Sequence, residues 1–325
     1  MNLYEIIRRR FVCSGTAAMI VSTTVTAPAS VMQHLNTLVE ITRHPANAAK
    51  PLRGALRYMA WNVARRLIDA RFVTELPGGA RILYSNRENY ATLIYCNGLF
   101  DFETMLFLLH YLAADDLFVD VGANIGMYTI LASAAARARS LAIEPVPVTF
   151  ADLAANIRLN NIEDRVEAQN LGVGDRSGML RFTADKGGMN HILPVHGDGG
   201  GIELPVVTIY SLLAGRDCTM MKMDIEGYEL AALRGASATL ANPSLKALIV
   251  EMNGSGLRYG IPDSKVHDLI LGFGFRPCLY DPATRALREV SGLLPHGLNA
   301  LYIRDPAAGP RLATGRRVTV AGRSY

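Results

Sequence analysis

The stretch LFVDVGANIG, residues 117–126, constrains the fold more than any other part of the chain. Leu117, Phe118, Val119 and Val121 form a short apolar run, interrupted by Asp120 near its end, which is typical of a buried parallel strand. Gly122 and Gly126 then mark a tight turn, and the Ala-rich residues 127–137 are compatible with a helix. A strand, a glycine turn and a helix in this order predict a doubly wound α/β sheet.

The composition of the turn indicates which ligand it binds. A dinucleotide fingerprint needs a second glycine for close approach to a pyrophosphate, and here that position is Asn124. The carboxylate of Asp120 at the strand end would repel phosphate but suits a cation, such as the amino group of S-adenosylmethionine (SAM). The next predicted strand ends in Glu144, which is placed to accept hydrogen bonds from two ribose hydroxyls. We therefore predict a SAM site that contains Asp120, Gly122, Asn124, Gly126, Glu144 and the following Pro145.

Two further residues are candidates for contact with the cofactor. Glu103 begins a predicted helix at 102–112, and in folds of this kind that helix lies over the methionine end of SAM. An acidic residue also stabilises the first turn of a helix, so Glu103 has a purely structural interpretation as well. Asn170 lies near the end of a third predicted strand, 166–171. The end of this strand normally flanks the adenine of SAM, so Asn170 is a candidate for that contact.

The second motif, MMKMDIEGYE at residues 220–229, predicts another buried strand. Its end delivers Asp224 and Glu226 to the cofactor pocket, with Lys222 inside the run, and Gly227 permits a sharp exit into a helix. The short apolar run favours a strand that ends at Asp224, so that Glu226 begins the helix. Asp224 and Glu226 are the leading candidates for a general base. The alternative is that Asp224 orients a loop and Glu226 caps the helix.

Two other ways of activating an acceptor remain open. His191 lies in a Gly-rich stretch, residues 186–201, and imidazole titrates near neutrality, so it is the alternative base. Asp224, Glu226 and Glu251 could instead supply oxygen ligands to a metal ion. We predict that the site contains no metal.

The charge of the chain is unevenly distributed. Its formal net charge is +4 over 325 residues, but residues 1–75 alone hold ten Lys/Arg against four Asp/Glu. Apolar residues recur at helical spacing across residues 31–72, so we predict a basic helical extension over 1–75 and an α/β domain with the SAM site over 76–305. A basic and peripheral tail is predicted at 306–325. The extension suggests peripheral contact with a membrane surface, whereas a solvated helix face is the plainer interpretation.

The first thirty residues allow two cellular locations. Arg8, Arg9 and Arg10 precede a mildly apolar stretch and Ala27-Pro28-Ala29, an arrangement similar to a Tat export signal. Six Ser and Thr residues weaken the apolar stretch, and SAM is a cytoplasmic metabolite. We predict a cytoplasmic protein, with export as the alternative. No stretch reaches the roughly 20 apolar residues of a membrane span.

Four segments together resemble the FkbM family of SAM-dependent methyltransferases. They are FVDVGANIGMYT, AIEP, NIRLNN and KMDIEGYELAALRGA, in the order and spacing of the family, and the similarity covers roughly residues 97–304. The resemblance implies a class I (Rossmann-like) methyltransferase fold with a mostly parallel seven-stranded sheet and its last strand inserted antiparallel. It also implies transfer of a methyl group to a hydroxyl of a sugar, glycan or secondary metabolite.

The resemblance carries over to individual residues. Asp120, Gly122, Asn124 and Gly126 match the cofactor turn of the family and Glu144 its ribose ligand, while Lys222, Asp224 and Glu226 match its second motif. Asn190-His191 departs from the family, in which many members have small hydroxyl residues there.

Other activities remain as alternatives. An N-methyltransferase of adenine or amides is expected to have an Asn/Asp-Pro-Pro-aromatic turn, whereas this chain has Asp224-Ile225-Glu226-Gly227. A non-catalytic SAM-binding scaffold is the third interpretation. We predict a small-molecule or glycan acceptor and no nucleic-acid partner. The oligomeric state is left open.

Overall fold

The computed structural model describes residues 29–86, 88, 90–184, 189–193, 201–294, 298–305 and 307–325. The chain divides into two compact units, residues 1–39 and residues 40–325. Within the first unit only residues 29–39 are described, and they form the beginning of helix α1 (Ala29–Arg43). The arginines and the Ala-Pro-Ala site of the predicted signal lie largely outside the described residues.

The second unit begins with helices and one hairpin. The elements are α2 (Pro45–Ala48), α3 (Pro51–Leu67), β1 (Arg71–Glu75), β2 (Arg81–Ser85), α4 (Ala91–Asn97) and α5 (Phe102–Tyr111). The sequence predicted a helix running to residue 72, but α3 ends at Leu67 because residues 71–75 pair antiparallel with β2 across the turn at Pro77–Gly79. From the sequence alone, the apolar residues 91–95 predict a strand near the one at 80–84, but they form α4, whose buried side lies in the core.

Among the described residues, no single helix is long and apolar enough to cross a membrane. The pair α4 and α5 passes that test jointly by length and composition, with a bend of 67° between the two helices. Most of their residues are buried inside the second unit.

From residue 117 onward, strands and helices alternate. The elements are β3 (Leu117–Val121), α6 (Met127–Ile130), β4 (Arg139–Ile143), α7 (Pro147–Leu159), β5 (Val166–Gln169), β6 (Gly172–Val173), β7 (Gly178–Phe182), β8 (Ile202–Val207), α8 (Ile209–Leu213), β9 (Met220–Met223), α9 (Glu229–Gly235), α10 (Ser237–Ala241), β10 (Ala247–Met252), α11 (Asp263–Gly272), β11 (Arg276–Asp281), β12 (Ala286–Glu289), β13 (Leu298–Ile303), α12 (Ala308–Thr314), β14 (Thr319–Val320) and β15 (Arg323–Ser324).

The main sheet has the strand order β12-β11-β13-β10-β9-β3-β4-β5. Strands β5, β4, β3, β9 and β10 are parallel, and β13 is inserted antiparallel between β10 and β11. The predicted mostly parallel α/β sheet with an antiparallel insertion is confirmed. An eighth strand, β12, extends the seven expected strands, because β11 continues through a hairpin into β12 at the edge of the sheet.

The core lies on both faces of this sheet. Every residue of β3 is buried, and successive side chains of a strand point to opposite faces. Phe118 accordingly packs in the hydrophobic cluster on one face, whereas Val119 and Val121 pack in the cluster on the other. A strand covered by helices on both sides is mostly apolar, which explains why Asp120 is the single polar residue at 117–121.

The C-terminal residues are packed, contrary to the prediction of a peripheral tail. Leu312 on α12 is fully buried in the main core, and the ring of Tyr325 packs edge-on against Phe102 with centroids 5.3 Å apart. The guanidinium of Arg316 donates hydrogen bonds to the carbonyl oxygens of Ala135 and Ala136. This arginine therefore satisfies the C-terminal carbonyls of a helix rather than belonging to a solvated basic tail.

Candidate active site

A cavity of about 370 Å³ lies at the carboxyl ends of the central strands. Asp120 in β3, Glu144 after β4, Asp224 after β9 and Glu251 in β10 all line it. They meet there because β4, β3, β9 and β10 are consecutive in the sheet and parallel, so their ends lie at one edge. The volume falls within the range of small-molecule sites, about 300–1,000 Å³.

Asp120 is a buried carboxylate that lines the cavity, and one of its oxygens has no hydrogen-bond partner among the described residues. Its Oδ2 accepts a hydrogen bond of 2.6 Å from the hydroxyl of Thr129, and its Oδ1 is buried with no partner among the described residues. Burial raises the pKa of Asp120, and the nearby Lys222 ammonium opposes that shift. An unsatisfied carboxylate oxygen facing a cavity suits a cationic ligand group.

The turn after β3 is built by residues with left-handed backbone. Gly122 has φ +74° and Asn124 has φ +53°, and both line the cavity. Gly126 has φ +95° and does not line it. A Cβ at Gly126 would stand 2.6 Å from the Leu153 side chain, so this glycine permits helix α7 to pack against the turn.

Glu144 holds the turn and faces the cavity. Its Oε2 accepts a hydrogen bond from the backbone N–H of Asn124 and its Oε1 one from that of Val146, each at 3.0 Å. Burial raises the pKa of Glu144 to about 7, although both N–H groups favour the ionised form. Each carboxylate oxygen keeps a second lone pair, so the predicted contact with ribose hydroxyls is compatible with this geometry. Pro145 also lines the cavity.

Glu103 is exposed on α5 and is not part of the cavity lining, which contains Asp101 instead. Asp101 precedes the helix, and its Oδ2 accepts hydrogen bonds from the Tyr128 hydroxyl (3.1 Å) and from Asn299 Nδ2 (2.7 Å). Burial raises the pKa of Asp101 to about 6. Sequence reasoning missed this residue, although an Asp directly before an apolar helix is a signal that could have found it.

Asn170 supports the cavity wall rather than forming it. Its Nδ2 donates hydrogen bonds of 2.9 Å to the carbonyl oxygens of Glu144 and Pro145. The wall next to it is formed by Leu171 and Gly172. Asn170 is therefore placed to fix the path of the chain after β4.

Lys222 is the one lysine or arginine among the described residues that line the cavity. Its Nζ lies 2.9 Å from Asp224 Oδ2 and 4.9 Å from the centroid of the Tyr128 ring. Burial lowers the pKa of Lys222, but the carboxylates of Asp224 and Asp120 outweigh that effect and raise the pKa to about 12. The Lys222 ammonium thus stays charged and fixes the orientation of Asp224.

The turn after β9 differs in one respect from its prediction. The strand ends at Met223, directly before Asp224, but α9 begins at Glu229 and not at Glu226. Glu226 has φ +56° and lies in the turn, where its side chain also lines the cavity. Both predicted carboxylates are therefore brought to the site.

Glu229, which sequence reasoning did not single out, holds this turn in place. Its Oε1 accepts hydrogen bonds of 3.1 Å from the backbone N–H groups of Ile225 and Gly227. Burial raises the pKa of Glu229 to about 7. An acidic residue in the first turn of a helix is the signal that could have identified it.

Three carboxylates meet at one end of the cavity. Oxygen atoms of Asp224, Glu226 and Glu251 lie within 4.8 Å of one another, a spacing at which they could hold a metal ion. Burial raises the pKa of Glu251, and the neighbouring carboxylates of Asp224 and Glu226 raise it further, so Glu251 holds a proton at neutral pH. A neutral Glu251 can donate a hydrogen bond to Asp224.

His191 also reaches the cavity, from the Gly-rich stretch. Its Nδ1 lies 3.0 Å from the carbonyl oxygen of Met189. Since a carbonyl only accepts, Nδ1 carries the proton, and in the neutral ring Nε2 is left as an acceptor. The structure thus brings together both candidate bases, Asp224 and His191.

The strand order, the glycine turn and the acidic strand ends are those of a class I methyltransferase fold. Residues 120–277, just under half of the chain, match the Methyltransferase FkbM domain. This segment is therefore an FkbM methyltransferase domain, as its motifs predicted, and domains of this family are SAM-dependent transferases.

Sequence similarity to a curated relative is confined to part of the chain. The relative is a tRNA(Phe) (4-demethylwyosine(37)-C(7)) aminocarboxypropyltransferase from Pyrococcus horikoshii, 37% identical over 82 residues. The aligned region is 25% of this chain and 29% of the relative. The chain therefore matches less than a third of that protein's length.

The solved structures to which the chain is similar share little sequence with it and have low TM-scores. P. horikoshii TYW2 in complex with MeSAdo is 15% identical with a TM-score of 0.38, and the match covers 73% of each chain. M. jannaschii TYW2 in complex with AdoMet is 12% identical with a TM-score of 0.36, covering 73% of this chain and 84% of the other. A SAM-dependent O-methyltransferase from Thermotoga maritima is 11% identical with a TM-score of 0.33, covering 61% and 62%. At these values the likeness says nothing about substrate.

The cavity suits SAM by charge as well as by size. SAM carries a sulfonium and an ammonium cation, and the unpartnered Asp120 Oδ1 offers an acceptor to such a group. The positive charge of Lys222 is outnumbered by other carboxyl groups in the lining besides Glu251: Asp101, Asp120, Glu144, Asp224 and Glu226. The predicted cofactor therefore agrees with the residues present.

Proposed function

We propose that this protein transfers the methyl group of SAM to a hydroxyl of a sugar, glycan or secondary metabolite. One observation carries the proposal: carboxylate oxygens of Asp224, Glu226 and Glu251 lie within 4.8 Å of one another in the wall of the cavity, which His191 also lines. Glu144, the proposed ribose ligand, follows β4, and two strands separate it from β10, which carries Glu251. The acceptor therefore has its own polar subsite beside the cofactor subsite.

The side chains of this subsite suit hydroxyl groups. Hydroxyls both donate and accept hydrogen bonds. Asp224 can accept through its carboxylate oxygens, Glu251 can donate the proton that it holds, and His191 can accept through Nε2 when Nδ1 carries the proton. An acceptor with several hydroxyls can satisfy all of them.

The protein has three tasks in the reaction. SAM, when bound, supplies a methyl group already activated by its sulfonium. The chain must orient the acceptor oxygen, exclude water and take up the hydroxyl proton. Orientation contributes up to about 7–11 kcal/mol in favourable cases, and a general base typically adds ~10²–10⁴-fold.

Asp224 is the proposed base. Its Oδ2 is held by Lys222 at 2.9 Å, so the carboxylate has a fixed direction at the edge of the sheet. Lys222 acts through Asp224 and positions it. His191 is the second candidate, because its Nε2 is available to accept a proton.

N-methylation of an adenine or amide is less well supported. The residues after β9 are Asp224-Ile225-Glu226-Gly227, without the Pro-Pro-aromatic turn expected for such substrates. The turn is instead made by left-handed Glu226 and Gly227, which place a carboxylate in the cavity. We propose that the partner is a small hydroxylated molecule and not a nucleic acid.

Product analysis tests this proposal. The full chain is incubated with SAM and panels of glycosides, hydroxylated metabolites, amines and tRNA, and products are identified by mass spectrometry. We expect S-adenosylhomocysteine together with an O-methylated product, and Asp224→Asn serves as the inactive control. Transfer of an aminocarboxypropyl group, the activity in the name of the P. horikoshii relative, would contradict methyl transfer. Methylated amines or tRNA alone would contradict an O-methyltransferase.

We further propose that the protein acts in the cytoplasm, where SAM is made. N-terminal sequencing of protein isolated from its native host tests this. An intact terminus is expected. A mature terminus at Ser30 would show that the Ala27-Pro28-Ala29 site is cleaved and the protein exported.

A further inference from the structure

Helix α3 presents an apolar stripe to solvent. The stripe consists of Leu52, Leu56, Met59, Val63 and Leu67, which recur every three or four residues and so lie along one side of the helix. Each is at least half exposed, from 51% for Met59 to 79% for Leu67. Exposed apolar residues scattered singly are normal, but five aligned on one helix form a contiguous patch, which marks an interaction surface.

The other side of α3 anchors the helix to the second unit. The indole of Trp61 is buried, donates a hydrogen bond of 2.9 Å to the Thr92 hydroxyl and stacks on Tyr95 with ring centroids 4.6 Å apart. Arg57 also donates a hydrogen bond to the carbonyl oxygen of Tyr95. Because these contacts fix the opposite side of α3 against α4, the stripe faces solvent in the folded protein.

The charge around the stripe is of one sign. Residues 41–68 contain six basic side chains and no acidic one. Lys50, Arg53 and Arg66 are exposed with the stripe. A helix with an apolar side and Arg or Lys beside it is the pattern that binds at the interface of an anionic bilayer, with the apolar side buried among the acyl chains.

We propose that α3 docks the protein onto the surface of an anionic lipid bilayer through this stripe. The apolar side chains would enter the acyl boundary while Lys50, Arg53 and Arg66 contact the phosphate groups. A second copy fits less well, because it would bring together two segments 41–68, whose charged side chains are all basic. The inference is independent of which acceptor is methylated.

Helix α3 packs against α4, which lines the cavity of the candidate active site. Thr92 and Tyr95, which hold Trp61, belong to α4. The same helix contributes Leu93 and Ile94 to the cavity lining. A bilayer bound to α3 would therefore lie one helix away from the cavity.

Co-flotation of the full chain with vesicles tests the proposal. We expect binding to vesicles of phosphatidylcholine mixed with phosphatidylglycerol, weak or no binding to phosphatidylcholine alone, and loss of binding in high salt. Leu56→Ser with Val63→Ser, and separately Arg53→Glu with Arg66→Glu, should each weaken binding by about tenfold or more. The matched controls are Met179→Ser with Tyr210→Ser, which replace exposed apolar residues elsewhere, and Arg176→Glu.

The same variants are also tested for correct folding and for dimer formation. Thermal midpoint and SAM affinity should be unchanged in all variants, because the replaced side chains are exposed. Replacing Arg8, Arg9 and Arg10 together by Ala should leave the dependence on the stripe intact. The proposal is overturned if the wild type does not bind anionic vesicles, or if the stripe variants bind them as strongly as the wild type does. A dimer in light scattering that disappears only in the stripe variants would also overturn it.

Discussion

The carbonyl oxygen of Asp224 lies where a side chain at position 122 would begin: a Cβ added to Gly122 would stand 1.9 Å from it. The two loops that carry the cofactor turn and the proposed base are thus in backbone contact. They follow β3 and β9, which are neighbours in the sheet, although about one hundred residues separate them in the chain. Any displacement of one loop is transmitted directly to the other.

Gly122→Ala should therefore destabilise the protein more than the strain of a left-handed backbone alone would, because the new Cβ also clashes with the carbonyl oxygen of Asp224. Gly260→Ala is the matched control, because Gly260 has a left-handed backbone with φ +71° and a Cβ added there would meet no atom within 4 Å. We expect Gly260→Ala to cost about 1 kcal/mol of unfolding free energy, from the left-handed backbone. Gly122→Ala should cost more than about 3 kcal/mol and abolish SAM binding. Equal costs in denaturant titrations would show that the close approach is relaxed in solution.

Asp120→Asn should weaken SAM binding without unfolding the chain. The change keeps the shape of the side chain and removes the charge from the one oxygen that lacks a partner among the described residues. Loss of a hydrogen bond to a charged group corresponds to roughly a tenfold to hundredfold weaker affinity in titration calorimetry. Glu144→Gln should act similarly. Asp115→Asn, an exposed residue before β3, is the control, and wild-type affinity in folded Asp120→Asn would contradict the assignment.

Asp224→Asn should separate catalysis from binding. We expect SAM affinity to stay nearly unchanged and single-turnover methyl transfer to fall by ~10²-fold or more, because the proposed base is removed. Glu226→Gln should cost less, since Glu226 lies in the turn and is not held by Lys222. Normal turnover in Asp224→Asn together with failure of His191→Ala would move the base to His191.

Glu229→Gln should change how stability depends on pH. Burial raises the pKa of Glu229 from 4.5 to about 7, so the folded chain holds this proton more tightly than the unfolded chain does. The contribution of Glu229 to the free energy of unfolding is fully present below pH 4.5 and is lost as the pH rises through 7. Since Gln stays neutral and can accept the same N–H groups, the variant should gain a few kcal/mol relative to wild type between about pH 5 and 8. Urea titrations across this range measure the difference, with exposed Glu203→Gln as control. An unchanged slope would mean that Glu229 is ionised throughout.

Removal of metal ions should leave turnover unchanged. The Lys222 ammonium already lies 2.9 Å from Asp224, and Glu251 holds a proton, so the three acids do not present three negative charges to a cation. The measurement is methyl transfer before and after treatment with EDTA. A loss of turnover that Mg²⁺ or Mn²⁺ restores would show instead that Asp224, Glu226 and Glu251 bind a metal.

Features that depend on neighbouring residues in the chain were predictable from sequence. The run at 117–121 is apolar because both faces of β3 are covered, and the turn after it needs left-handed backbone at Gly122 and Gly126. These requirements act within a few residues, so they leave a local pattern. The position of Asp224 was predictable for the same reason, because it directly follows the apolar strand β9, which ends at Met223.

Other features depend on where an element begins. Whether Asp101 or Glu103 faces the cavity follows from the first residue of α5, and a shift of two residues turns a side chain to a different side of a helix. The short apolar stretch at 91–97 has no clear period, so strand and helix could not be distinguished. Packing of that stretch in the core selected the helix.

The sequence by itself determined the α/β class, the SAM site and the carboxylates of the second motif, because strand and turn chemistry is local. Only the tertiary structure decided which distant groups meet. Glu251 approaches Asp224 because β10 pairs with β9, and Arg316 reaches the carbonyls of Ala135 and Ala136 from the C-terminal segment. It also decided that Leu56 and Val63 face solvent while Trp61 is buried, since periodicity defines the sides of a helix but not which of them the core covers.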